Sequence, residues 1–216
     1  MNNDRFIEAA VIIKMAMKQG LKRRERKDVM MSIPKMITGH YIAKGFIREE
    51  EREIYEYGFD ITLYTIWSTA ALLLLGIVLR RFVPTAIIVF GFYLFQTTGG
   101  GYHANTHLRC LTGMIAGLLF ALSLESFQES TTLLWGLFII GFSLLLVLPL
   151  VLHPNKKHLE DQRKQLAIRS LMVTIAAAIA ALLLIGVIRL PLYTASAVFF
   201  LSGLSRICGR IKYRAM

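Results

Sequence analysis

The chain has 216 residues, of which 55% are hydrophobic and only 18% charged, and its mean hydropathy is +0.54. Lys and Arg number 25 against 14 Asp and Glu, which gives a formal charge of +11. The charges stand in a few blocks between long uncharged stretches, which excludes a soluble protein. It also argues against a nucleic-acid-binding one, because that class needs its positive charge on a solvent-exposed face. The composition predicts an integral membrane protein. Its two cysteines are too few for a disulfide framework.

Residues 1–60 hold 12 of the 25 basic and 10 of the 14 acidic residues, which is too much charge to cross a bilayer. Apolar residues recur there at helical spacing: Phe6, Ala10, Ile13, Met17 and Leu21, then Ile33, Ile37 and Tyr41. The basic cluster at 22–27 between them favours anionic lipid headgroups. We interpret residues 1–60 as amphipathic helices at the membrane interface, with a solvated cytoplasmic arm as the alternative.

Hydrophobic spans follow after Asp60. Their predicted bounds are 61–79, 82–98, 111–124, 133–152, 171–188 and 190–205. A helix needs about 20 apolar residues to cross the bilayer core, so the third span is short. The sequence thus predicts an all-α polytopic membrane helix bundle over 61–205. Six spans are favoured over five, and a basic cytoplasmic tail follows at 206–216.

Lys and Arg mark the cytoplasmic side of a membrane protein. With a cytoplasmic amino terminus and six spans, 22 of the 25 basic residues fall inside, and only Arg80, Arg81 and Arg189 fall outside. The inner set lies in 1–60, in the loop containing Arg109, in the basic loop 153–170 and in the tail. We therefore expect both termini, and the loop 96–110, in the cytoplasm.

The most unusual stretch is that loop, 96–110, which reads QTTGGGYHANTHLRC. Its three consecutive glycines, Gly99, Gly100 and Gly101, each lower helix stability by up to about 1 kcal/mol relative to alanine. They permit a backbone turn whose N–H groups can face a ligand oxygen. A flexible hinge between two helices is the plainer alternative.

Cys110 stands where the third span begins. A helix amino terminus and a neighbouring cation, here Arg109, both favour a thiolate over a thiol, and a nearby histidine can then act as general base. Spacing alone does not choose the histidine. His103 reaches Cys110 only across a turn, since seven helical residues rise about 10.5 Å, and a helix start at Asn105–Thr106 would allow that turn. His107 neighbours Cys110 on a helix. A cysteine simply packed in the bundle is the alternative.

The same residues fit a second chemistry. His103, His107 and Cys110 at i, i+4 and i+7 would put three zinc-type ligands on one helical face. The chain has no H-E-x-x-H motif, so the usual catalytic zinc arrangement on a helix is missing. We expect no metal and no other cofactor. It also has no Asp or Glu within a predicted span, which argues against a proton-coupled transporter.

The chain resembles the accessory gene regulator B (AgrB) family, the membrane endopeptidases of Gram-positive quorum sensing. The specific part of the resemblance is Gly100-Gly101-Tyr102-His103-Ala104, with Cys110 seven residues after His103. The chain length, the basic amphipathic opening and a basic loop that starts at His153-Pro154-Asn155-Lys156-Lys157 support it. Family members usually carry a basic residue shortly before the glycines, where this chain has Gln96-Thr97-Thr98, so a substrate contact by that residue does not carry over.

The resemblance implies a cysteine endopeptidase of the plasma membrane. It would cut the carboxy-terminal part from a small membrane-associated, AgrD-like precursor on the cytoplasmic side. Cys110 would attack the peptide carbonyl with His103 as base. The acyl-enzyme thioester would then pass to the precursor's own cysteine or serine, which closes a thiolactone or lactone ring. The family also implies a homodimer.

Supporting roles follow from the same scheme. The N–H groups of Gly99, Gly100 and Gly101 and the Cys110 amide are oxyanion-hole candidates. Candidate substrate-binding residues are Arg109, Lys156 and Lys157. The alternatives to an enzyme are a non-catalytic peptide exporter or scaffold and a metal-binding membrane protein.

Overall fold

The computed structural model describes residues 32–102, 104, 106–151, 160–187 and 190–214. Every regular element in these ranges is helical, and none of their residues lies in a β-strand. The all-α prediction is therefore confirmed. The chain divides into two compact units, residues 1–67 and 68–216.

The first unit contains the helix α1, Ser32–Ala43, which confirms the second helix predicted within 1–60. The chain turns after α1 at Gly45, whose φ of 73° is left-handed and suits glycine. Tyr41 of α1 stacks on Phe59, with 6.1 Å between the ring centroids. The helix predicted over Phe6–Leu21 lies outside the described residues.

Six further helices follow α1. They are α2 Arg52–Val78, α3 Phe82–Gly99, α4 His107–Ser123, α5 Thr131–Val147, α6 Glu160–Val187 and α7 Leu192–Arg214, with short 3-10 helices at Glu49–Glu51 and Leu124–Phe127. In the described part of the chain, α2, α3, α4, α6 and α7 are long and apolar enough to cross a membrane, and α5 is a shorter apolar helix of 17 residues. The chain is thus a multi-pass membrane protein, as predicted.

Several helix boundaries differ from the predicted ones, and α2 already begins at Arg52 instead of 61. α5 ends at Val147 instead of 152, because Pro149 follows and the residue before a proline avoids the helical conformation. α6 begins at Glu160, so the second half of the predicted loop 153–170 is helical. α7 continues past 205 to Arg214. Residues 206–214 of the predicted tail 206–216 are therefore helical, since hydropathy alone ended the predicted span at its first charge.

α7 lies at the centre of the second unit, and each residue from 193 to 199 is buried. Phe199 packs between Phe95 of α3 and Phe138 of α5, with ring centroids 5.1 and 4.6 Å away. α5 comes so close to α7 that a Cβ atom at Gly141 would collide with the backbone of Phe199. Small residues at such contacts allow the close van der Waals packing that holds membrane helices together.

The α2–α3 and α4–α5 connections meet at one end of this unit. Arg81 Nη1 lies 3.1 Å from Glu125 Oε1. The six-span prediction puts Arg81 on the outer side and, with it, the connection between the third and fourth spans. The Arg81–Glu125 ion pair places the two connections at the same end of the bundle, as that prediction requires.

Candidate active site

The glycine turn, residues 99–102, ends α3. Gly100 has φ 72° and ψ −170°, and its N–H donates to the Gln96 carbonyl at 3.0 Å. A backbone in this region costs little only for glycine. Gly100 is therefore required by the turn itself.

The other two glycines are required by close packing. A Cβ atom at Gly99 would collide with Nη2 of Arg206 and lie 2.6 Å from Ser170 Oγ. A Cβ atom at Gly101 would lie 2.7 Å from Ser205 Oγ and collide with Gln96 Oε1. A side chain at either position would have to displace these neighbouring groups, so the turn is a packed feature of the bundle.

Hydrogen bonds fix the turn to α7 and to the segment after α5. The Tyr102 N–H donates to the backbone oxygen of Ser205 at 3.0 Å and to its Oγ at 3.1 Å. Gln96 Nε2 donates to the same Oγ at 2.6 Å. The Gly99 carbonyl accepts from the Val151 N–H at 2.8 Å. The residue that precedes His103 in the chain is thereby anchored on α7.

The Tyr102 side chain continues this attachment. Tyr102 is 45% exposed, and the Lys212 ammonium nitrogen lies 5.1 Å from the centroid of its ring. That distance is within the range of a cation–π interaction. The turn thus contacts α7 from Ser205 to Lys212.

The Cys110 thiol lies in the first turn of α4. Thr106 caps this helix with an extended backbone, and its Oγ1 accepts from the Arg109 N–H at 3.3 Å. The helix start predicted at Asn105–Thr106 is confirmed. Cys110 is a free thiol and half-buried, while Cys208 on α7 is free and exposed. A helix amino terminus carries partial positive charge, so the thiol lies at the end of α4 that suits an anion.

Two predicted oxyanion donors are already engaged. The Gly100 N–H donates to Gln96, and the Cys110 N–H donates to the Thr106 carbonyl at 3.0 Å. An oxyanion donor has to face the developing charge. In this arrangement the Gly100 amide bonds within the end of α3 and the Cys110 amide bonds within the start of α4.

The remaining predicted residues fall into two groups. His107 and Arg109 are exposed on the first turn of α4. His103, Lys156 and Lys157 lie outside the described residues.

Among the described residues, no three His, Cys, Asp or Glu side chains come together as a metal site would require. His103, one of the three ligands suggested by spacing, is not among them. His107 and Cys110 lie on the same turn of α4.

A shallow cavity of about 360 Å³ runs along the beginning of α6. It is lined by Gln162, Gln165, Leu166 and Arg169. Two amides and a guanidinium on its wall can donate hydrogen bonds to a carboxylate. The cavity lies within the range 153–170, where the sequence predicted a basic face.

Sequence reasoning missed Arg206 and Ser205, because both were judged by charge and hydropathy alone. The available signal was helical spacing, since Ser202, Arg206 and Gly209 recur at steps of four and three and are all buried. A run of small residues at that spacing marks a face that packs against another helix. An arginine on such a face is buried with it.

Comparison with known proteins identifies one family. The protein-family model described as Accessory gene regulator B matches residues 35–207. This range is most of the chain and includes the glycine turn, Cys110 and Arg206. No curated protein and no solved structure matches the chain significantly.

Proposed function

Because the chain belongs to the accessory gene regulator B family, whose members process quorum-sensing peptides, we propose that it is a membrane cysteine endopeptidase. Its substrate is a small AgrD-like precursor peptide. The observation that carries the proposal is the position of Cys110, a half-buried thiol in the first turn of α4, just after a turn fixed on α7. His103 follows that turn directly and precedes Cys110 by seven residues.

The proposed chemistry has two acyl transfers. Cys110 Sγ forms a bond to the scissile carbonyl carbon as His103 takes the thiol proton. The C–N bond then breaks, and the leaving amine receives that proton from His103. The thioester that remains is attacked by a thiol or hydroxyl of the precursor itself. This step breaks the bond to Cys110 Sγ and closes a thiolactone or lactone ring, while the nucleophile's proton passes through His103 to the released Cys110 thiolate.

Ring closure requires that water does not reach the thioester first. A thiol at the end of an apolar helix, half-buried in a membrane bundle, meets this requirement better than one on an open surface. α4 is apolar from Leu111 onward. The membrane boundary therefore serves the second step by limiting water.

Charge gives the proposed orientation and the contacts with the precursor. The distribution of basic residues puts Cys110 and both termini on the cytoplasmic side of the plasma membrane. An acidic precursor tail would meet Arg109, the cavity beside Arg169, and Lys156 and Lys157 in the chain segment before α6. Anionic headgroups at that surface would hold residues 1–60, and a homodimer is part of the same proposal.

The test is precursor cleavage by the purified full-length protein in lipid nanodiscs. Cys110→Ala should reduce cleavage to background, whereas Cys208→Ala, the matched control at the other free thiol, should leave it unchanged. Mass spectrometry of a precursor without its internal nucleophile should show an acyl adduct on Cys110. Cleavage by the Cys110→Ala protein would overturn the proposal, and unchanged precursor length with wild-type protein would favour an exporter.

A further inference from the structure

Arg206 is a fully buried cation in a membrane protein. Its relative exposure is 0%, and it lies in the second half of α7. A charged side chain within a membrane bundle is costly and is usually kept for a function. None of the ion pairs found among the described residues involves it. Its charge is therefore balanced by other groups.

Those groups are backbone oxygens at the end of α5. Arg206 Nη1 donates to the carbonyls of Leu145, Leu148 and Pro149 at 3.1, 2.8 and 3.0 Å. The carboxyl end of a helix has partial negative charge and unpaired carbonyls, so it suits a guanidinium. One nitrogen thus fixes the path on which the chain leaves α5.

The second nitrogen ties α6 and the glycine turn to the same point. Nη2 donates to Ser170 Oγ at 2.9 Å, and the absent side chain of Gly99 leaves the space that Nη2 occupies. The segment held by Nη1 ends at Val151, whose N–H donates to the Gly99 carbonyl. The guanidinium therefore supports Gly99 directly and also through Val151.

We propose that Arg206 is a positioning residue for catalysis. It holds the glycine turn in place, and with it Tyr102, the residue that precedes His103 in the chain. It does not touch the reacting atoms. Its effect on the reaction runs through the turn to the base, and so the inference rests on the proposed Cys110–His103 pair.

The charge alone does not suffice for this role. Arginine presents a planar fork of donors that reaches the α5 carbonyls with one nitrogen and Ser170 with the other, whereas lysine ends in one compact ammonium. Arg206→Lys keeps the charge and loses the fork. Gly99→Ala keeps the fork and displaces it, because the new Cβ atom takes the place of Nη2. Both changes should shift the turn while Cys110 remains in place.

The experiment measures kcat and KM for precursor cleavage per folded protein in nanodiscs. Arg206→Lys and Gly99→Ala should each lower kcat by about 10- to 100-fold and leave KM unchanged, because a small misplacement of a catalytic group has effects of that size. The kcat of the double variant should fall by less than the product of the two single decreases, because both substitutions act on the same contact. The matched controls are Arg210→Lys, an exposed arginine on α7, and Gly113→Ala, which has open space around it.

Ser170→Ala removes only a hydroxyl and provides the test if the stronger variants do not fold. It should lower kcat less than Arg206→Lys does, again with unchanged KM. Unchanged kcat in the folded variants, or a loss equal to that in the controls, would overturn the positioning role. Cleavage by Cys110→Ala would instead overturn the proposed function, whatever the Arg206 variants do.

Discussion

α7 and α4 both belong to the second unit, yet they differ sharply in burial. Of the most apolar window of α7, 61% is buried within the protein, against 17% for α4. α7 contains Arg206 and Ser205, which hold the glycine turn, whereas α4 contains Cys110. One part of the proposed site is therefore held by a buried helix, and the other lies on a helix of which a much smaller share is buried.

This difference bears on the proposed mechanism. The turn before His103 contacts α6, α7 and the segment after α5, so its geometry is set by packing inside the bundle. The helix of Cys110 is buried over a much smaller share of its length. Substitutions near α7 should therefore disturb folding and the base, while substitutions on α4 should act only at or beside Cys110.

The strongest test of this contrast is Gly141→Leu on α5. A leucine there would separate α5 from α7, because even a Cβ atom collides with the backbone at Phe199. We expect no folded protein by size-exclusion chromatography. Gly136→Leu on the same helix faces open space and should give wild-type yield. Equal yields for the two variants would contradict the central role of α7.

The next effect is on the base. His103→Gln should lower kcat by about 10²- to 10⁴-fold, the usual contribution of a general base, while the protein still folds. His107→Gln, an exposed residue on α4, should change kcat little. Cleavage assays in nanodiscs compare the two. A larger loss for His107→Gln would make His107 the base, and equal losses that zinc reverses would indicate a metal site.

Packing energies should follow the same contrast. Phe199→Ala should lower the free energy of unfolding by about 3 kcal/mol, because it empties a fully packed position between Phe95 and Phe138. Phe120 on α4 is 43% exposed, so Phe120→Ala should lower the free energy of unfolding by clearly less. Thermal unfolding in one detergent measures both. A similar loss for each would show that α4 is as tightly packed as α7.

The smallest effect is expected at the opposite end of the bundle. Arg81→Gln removes an ion pair with Glu125 in which both side chains are partly exposed, so stability should fall by less than about 1 kcal/mol. The effect should shrink further at high salt, which screens exposed charges. Thermal unfolding at low and high ionic strength tests this, and a large salt-independent loss would contradict it.

The amino-acid sequence by itself determined the helical membrane architecture, since long apolar runs between charged blocks have few other solutions. It also determined the start of α4, because Thr106 is a local capping signal that acts within one turn. It identified Cys110, His103 and the three glycines as unusual through their spacing. Whether His103 or His107 acts with Cys110 stayed open on spacing alone, and the family resemblance made the choice.

The tertiary structure alone decided what the glycines and Arg206 do. Their roles depend on contacts between Gly99 and Arg206, residues more than 100 positions apart in the chain. Arg206 has the charge of a tail residue, and its burial becomes favourable only because α5 ends beside it with unpaired carbonyls. A hydropathy profile averages each residue with its neighbours in the sequence. Whether a cation can be buried depends instead on the groups that surround it in space.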